Sequence, residues 1–312
     1  MFSARLPQLS AERPLLTDGG LETTLIFHNG LDLPAFAAFT LLDEEPGVAA
    51  LRDYFRPYLD IAARDGTGFV LDTPTWRANP DWGAELGYSP ERLDEANRRA
   101  VELAGSLRSE HEAGAGPIVI EGVIGPRGDG YSPESLMGAD EAAEYHERQA
   151  RVLGEAGADM VGAITMTYAD EAIGIARAAE TAGLPAAISF TVETDGRLPD
   201  GQPLGDAIER VDRETGGQVA YFMVNCAHPT HFQDVLESGG EWRTRVRGIR
   251  ANASKMSHAE LDEAEELDDG DPDELAADYQ ELGRHLPNAT VLGGCCGTDH
   301  RHIAAVSAVW SR

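Results

Sequence analysis

The stretch "ATVLGGCCGTDH", residues 289–300, decides how the fold is read. It opens as a short apolar run, passes two glycines and ends on adjacent cysteines, Cys295 and Cys296. The third cysteine of the chain, Cys226, stands in a matching place, since "VAYFMVNCAH" (219–228) is again an apolar run closed by a thiol. Short apolar runs bounded by turn residues read as strands buried on both faces, as in a parallel sheet. Working outward, six more appear: "RPLLTDGG" (13–20), "GTGFVLDTPTW" (66–76), "GPIVIEGVIG" (116–125), "ADMVGAITMT" (158–167), "PAAISFTVET" (185–194) and "RGIRANAS" (247–254). Helix-like stretches lie between them, several stopped by glycine, such as "DEAAEYHERQARVLGEAG" and "ADEAIGIARAAETAG". Eight strand–helix alternations without a domain-sized break predict a (β/α)8 TIM barrel, one domain over residues 1–312. A doubly wound open sheet is the runner-up, weakened because no G-x-G-x-x-G follows the first strand.

Length and composition suit this reading. The chain has 312 residues, 42% apolar, with mean hydropathy −0.30, as expected of a globular protein with a large core. No stretch approaches the roughly 20 apolar residues of a bilayer crossing, and "MFSARLPQLSAERPLL" lacks the apolar core of a signal peptide. The expected location is therefore cytoplasmic, with no membrane partner. Charge is extreme, with 25 basic against 54 acidic residues and a net −29. Lys255 is the single lysine. Such self-repulsion is relieved in concentrated salt, where the Debye length falls to about 3 Å at 1 M, so the surface reads as halophilic. It also repels nucleic acid. The acidic run "SHAELDEAEELDDGDPDELAAD" (257–278) lacks EF-hand ligand spacing and reads as a solvated loop leading into a helix.

In a barrel the C-terminal strand ends form the active-site rim. Cys226 ends the sixth strand and Cys295 and Cys296 end the eighth, so all three thiols share one rim. Core filling is one explanation of buried cysteines. The other is three legs of a tetrahedral zinc site whose fourth position stays open for a substrate thiol. A thiol bound there loses its proton near neutral pH and becomes a nucleophile.

The motifs "GGCCG" (293–297) and "VNC" (224–226) resemble the zinc-ligand motifs of the homocysteine S-methyltransferase family. "TDGGLETTL" (17–25) and "LDTPTWRAN" (71–79) resemble its first- and second-strand signatures, and the likeness covers nearly the whole chain. It implies Zn2+ on Cys226, Cys295 and Cys296, with the homocysteine sulfur as fourth ligand. It further implies Asp18, Gly19 and Thr73 near the amino-acid end of the substrate, and Asn225 as support behind the zinc cysteine. The expected partners are a small thiol acceptor and a methyl donor. Since a barrel fills the 312 residues, a small free donor such as S-methylmethionine is favoured over methyl-folate.

One departure stands out. The family typically ends the fourth strand with a glutamate that binds the substrate ammonium; here "VGAITMTYADEA" puts Ile164 in that place. Either Asp170, Glu171 or Glu193 serves instead, or the thiol is not homocysteine. The competing reading from another class is a zinc-thiol binding or sensing protein on the same scaffold. His228 and His231 in "NCAHPTHF" are read as loop structure or pocket lining, with general acid–base work the alternative. Trp76 is a candidate wall of a cationic methyl-donor pocket.

Overall fold

The computed structural model describes residues 6–111, 114, 116–133, 136–264 and 266–310. Eight strands close in chain order, each parallel to the next: β1 (Leu15–Leu16), β2 (Gly68–Asp72), β3 (Ile118–Ile124), β4 (Met160–Met166), β5 (Ala186–Phe190), β6 (Tyr221–Asn225), β7 (Val246–Ala251) and β8 (Val291–Gly294). The ring shuts by pairing Leu15 with Gly68 on one side and with Val291 on the other. Nearly every strand residue is buried, which is why these segments read as continuous apolar runs.

The main helices form the outer layer, and their ends are written locally. Glu45–Asp65 begins with proline in its first turn and stops at Gly66 in the left-handed region. Ala139–Ala156 stops the same way at Gly157. The larger core lies between helices and strands, around residues such as Phe55, Leu59, Phe69, Leu153 and Phe222. A second, smaller core fills the lower lumen with Leu15, Val70, Val119, Met160, Tyr221 and Val291. The N-terminal turn Pro7–Leu9 plugs that end, with Leu6 buried in this core and the Gln8 amide 3.3 Å from the Tyr221 hydroxyl.

Higher in the lumen the side chains change character. Arg250 on β7 bonds Asp18 at 2.8 Å and Asp72 at 2.5 Å, and Glu121 on β3 lies 3.8 Å away. All four are buried. This charged layer separates the apolar plug from the rim. The acidic run begins with a capped helix, His258–Asp262, and ends in a second, Pro272–Gly283. Its connection does more than meet solvent, because Leu261, Glu266, Leu267 and Asp268 wall the cavity described below. No helix among the described residues is long and apolar enough to cross a membrane.

Candidate active site

The three thiols meet at the rim. Cys226 Sγ lies 3.0 Å from Cys295 Sγ and 3.6 Å from Cys296 Sγ, and all three sulfurs fall within 4.8 Å of one another. Local backbone makes this possible. Cys226 takes a left-handed φ of 54°, which turns the chain sharply off β6. A Cβ at Gly293 would stand 1.8 Å from Thr17 Oγ1, and one at Gly294 only 2.0 Å from Thr298 Oγ1, so β8 reaches the rim only with glycine at both places.

Asn225 locks the arrangement from behind. Its Oδ1 accepts from the Thr165 N–H at 3.0 Å and the Ser189 hydroxyl at 2.6 Å, while Nδ2 donates to Thr165 Oγ1 at 2.8 Å. Nδ2 also stands 3.9 Å from Cys295 Sγ. Thr165 has φ 65°, a strained setting for a β-branched residue that costs on the order of 1–3 kcal/mol. The Asn225 clamp holds it there. Behind Cys226, His258 Nε2 donates to the Cys226 carbonyl at 2.6 Å, and its Nδ1 is 3.1 Å from Glu193.

Three sulfurs this close cannot all carry charge without a cation. Hydrogen bonding among them holds the Cys295 thiol well below its usual range and pushes Cys226 well above it. Sulfurs bonded to one zinc at about 2.3 Å in a tetrahedron stand roughly 3.8 Å apart. The soft donor set, its spacing and its open side toward the cavity fit such an ion.

Above the thiols lies a cavity of about 570 Å3. Asp18, Gly19, Thr73 and Trp76, expected from sequence, all line it. The Asp18 carboxylate is already engaged, accepting from Arg250 and, at 3.0 Å, from the Tyr54 hydroxyl. Its pKa is nevertheless raised to about 8, because burial and the neighbouring Asp72 outweigh Arg250. Burial likewise pushes Glu121 far up. One arginine does not ionise the whole set, so this cluster holds protons at neutral pH. The Thr73 hydroxyl accepts from the Val123 N–H at 3.0 Å and pairs with Thr75 at 2.7 Å.

The acids proposed to replace the missing strand-four glutamate point elsewhere. Asp170 pairs with Arg210 at 2.5 Å, and Glu171 is buried against His146 at 2.9 Å. Glu193 holds His258, and none of the three lines the cavity. They follow β4 and β5 in sequence, but two sit on the outward helix Ala169–Thr181. His228 caps the helix Pro229–Glu237 by accepting from the Thr230 N–H, and His231 bonds the Lys255 carbonyl at 3.0 Å. Both are structural in this arrangement. Ile164 does face the cavity, 7% exposed.

Residues not anticipated from sequence complete the wall. The Tyr131 hydroxyl lies 3.0 Å from Cys226 Sγ and 3.6 Å from Cys296 Sγ, with its ring stacked on His258 at 4.1 Å. Glu22 also lines the cavity, its pKa raised to about 7 by burial. Arg77 is wedged between Trp76 and Trp82, 4.3 and 4.0 Å from the two rings. Glu22 and Arg77 stand inside the motifs "DGGLETTL" and "DTPTWRAN", but sequence alone does not say which way their side chains turn.

Comparison with known proteins identifies the family. The family described as Homocysteine S-methyltransferase matches residues 15–310. Homocysteine S-methyltransferase YbgG of Bacillus subtilis is 27% identical over 253 residues, 72% of this chain and 75% of its own length. Selenocysteine Se-methyltransferase of Brassica oleracea var. italica is 24% identical over 315 residues, 93% of this chain and 87% of its own. The metallated form of the homocysteine methyltransferase MmuM from Escherichia coli shares the barrel fold, with TM-score 0.75 and 23% identity over 97% of this chain and 98% of that one. The chain belongs to the homocysteine S-methyltransferase family and is a methyltransferase.

Proposed function

We propose that this enzyme is a zinc-dependent S-methyltransferase that moves a methyl group from a small cationic donor, such as S-methylmethionine, to homocysteine. The observation that carries the proposal is the convergence of Cys226, Cys295 and Cys296 at the floor of the cavity. These three would hold zinc, which lowers the pKa of an incoming thiol so that its sulfur is a thiolate at neutral pH. Asn225 and the His258–Cys226 carbonyl bond keep the cysteine backbone in place while substrate enters. The Gly19 backbone and the Thr73 side of β2 form the wall against which the acceptor lies.

The donor side is read from the cavity's charge and aromatic surface. Trp76, Trp82, Phe27 and Phe36 offer ring faces, and Asp129, Asp262, Glu266 and Asp268 surround them with negative charge. A sulfonium suits both. In the reaction the acceptor sulfur attacks the methyl carbon in line. A new S–CH3 bond forms, and the donor C–S bond breaks with its electron pair staying on the donor sulfur. Thiolate and sulfonium thereby become two neutral thioethers. Positioning of the two sulfurs is the protein's main contribution beyond thiol activation.

The test is methyl transfer to homocysteine in high salt against sulfonium, betaine and folate donors, using wild type and Cys226→Ser, Cys295→Ser and Cys296→Ser. Methionine formed from a sulfonium donor by wild type, and lost in all three variants with the fold intact by circular dichroism, is expected. Zinc-loaded protein that binds the thiol yet transfers no methyl from any donor contradicts the proposal.

A further inference from the structure

With Ile164 in the fourth-strand position and Asp18 committed to Arg250 and Tyr54, the amino-acid end of the acceptor needs other partners. Two cations line the cavity, Arg77 and Arg250. Arg250 is held by Asp18 and Asp72, so it offers a ligand little.

Arg77 is different. It is 8% exposed, its Nη1 donates to the Gly128 carbonyl at 2.9 Å, and its Nε is buried without a hydrogen-bond partner. The nearest carboxylate, Asp129, stands 3.9 Å off, too far for a hydrogen bond, with its Oδ1 held by the Tyr131 and Ser132 N–H groups at 2.8 and 2.9 Å. The flanking tryptophan rings fix the guanidinium plane. A planar fork held this way, with a donor unused, suits a carboxylate. Glu22 lines the same cavity as Arg77 and Cys295. Burial disfavours its charge until a cation arrives.

We propose that Glu22 and Arg77 together read the polar end of an α-amino-acid thiol, Glu22 taking the ammonium and Arg77 the carboxylate, with the sulfur at the three cysteines. This rests on the thiol-transfer reading above and specifies its acceptor. The pair supplies from β1's following turn and β2's following loop what the fourth strand no longer carries.

The test uses zinc-loaded protein in fixed high salt and calorimetric binding of three thiols. These are homocysteine, 4-sulfanylbutanoate, which lacks the ammonium, and 3-sulfanylpropan-1-amine, which lacks the carboxylate. Arg77→Gln should weaken homocysteine and 4-sulfanylbutanoate by roughly tenfold or more and leave the aminothiol unchanged. Glu22→Gln should weaken homocysteine and the aminothiol by a similar factor and spare 4-sulfanylbutanoate. Arg77→Lys and Glu22→Asp, which keep the charge, should retain the preference for the matching thiol and guard against a folding defect. A variant that weakens all three thiols equally, or none, overturns the assignment. Wild type that binds none of the three overturns the thiol-transfer reading itself.

Discussion

Replacing Arg250 with methionine removes the one cation from the charged layer of the lumen while keeping a side chain of similar length. In the wild type the arginine, with its side chain 7% exposed, meets Asp18 at 2.8 Å and Asp72 at 2.5 Å, and Glu121 at 3.8 Å. These carboxylates are 3%, 11% and 1% exposed, so water does not replace the lost partner. Breaking a buried ion pair from one side costs about 3–5 kcal/mol. Proton uptake relieves part of that cost. Asp18 already has its pKa at about 8, raised by burial and Asp72, and losing Arg250 moves it higher. Below the unfolded value near 3.8 the group is neutral in both states and adds nothing. Between that value and about pH 8 the unfolded chain is ionised and the folded Asp18 protonated in both proteins, so the difference between them is level; above pH 8 only wild-type Asp18 ionises, and the variant's disadvantage grows. Urea unfolding at fixed high salt should therefore show a loss of about 3–5 kcal/mol that is level between pH 5 and pH 7 and grows above pH 8. A loss under about 1 kcal/mol, or one that shrinks as pH rises above 8, refutes the picture of a buried cluster organised by Arg250.

Glu22→Gln works in the opposite direction. Burial raises the Glu22 pKa from 4.5 to about 7, so wild-type stability falls as pH climbs through that window. Metal-free, reduced Glu22→Gln should match wild type at pH 4 and exceed it at pH 8 by on the order of 1–2 kcal/mol, allowing for solvent screening of a partly open side chain; parallel stability curves would count against it. Ile164→Glu should lower Tm, with a cost of about 2 kcal/mol or more for a carboxylate among Val123, Met223 and Trp76, and should not tighten homocysteine binding. Tighter binding at unchanged Tm would return the ammonium site to the fourth strand. Raising KCl from low to molar concentration should raise Tm, because a net charge of −29 is then screened; a flat or falling Tm contradicts adaptation to high salt.

The barrel was legible because strands buried on both faces leave unbroken apolar runs. Seven of the eight quoted runs contain their strands, and the run 247–254 misses only Val246 at the start of β7. The meeting of the thiols was legible too, since parallel strands put all their C-terminal ends on one rim. The charged lumen was not. Asp72, Glu121 and Arg250 each sit inside an apolar run that reads as an ordinary strand, and their contacts join β2, β3 and β7 across the barrel. Nothing local announces such a pairing. The acidic run 257–278 looked solvated by charge density, yet Leu261 and Leu267 turn it toward the cavity. Asp170, Glu171 and Glu193 show the converse error, for closeness in sequence to a strand end does not aim a carboxylate at the rim.

The central claim is that Cys226, Cys295 and Cys296 hold a zinc ion for the acceptor thiol. Its most direct test is metal analysis of protein purified under reducing conditions in high salt, before and after incubation with zinc. The account predicts close to one zinc per chain in wild type and its loss in each single cysteine-to-serine variant. Less than about one-half zinc per chain in wild type, unrestored by added zinc, would contradict it.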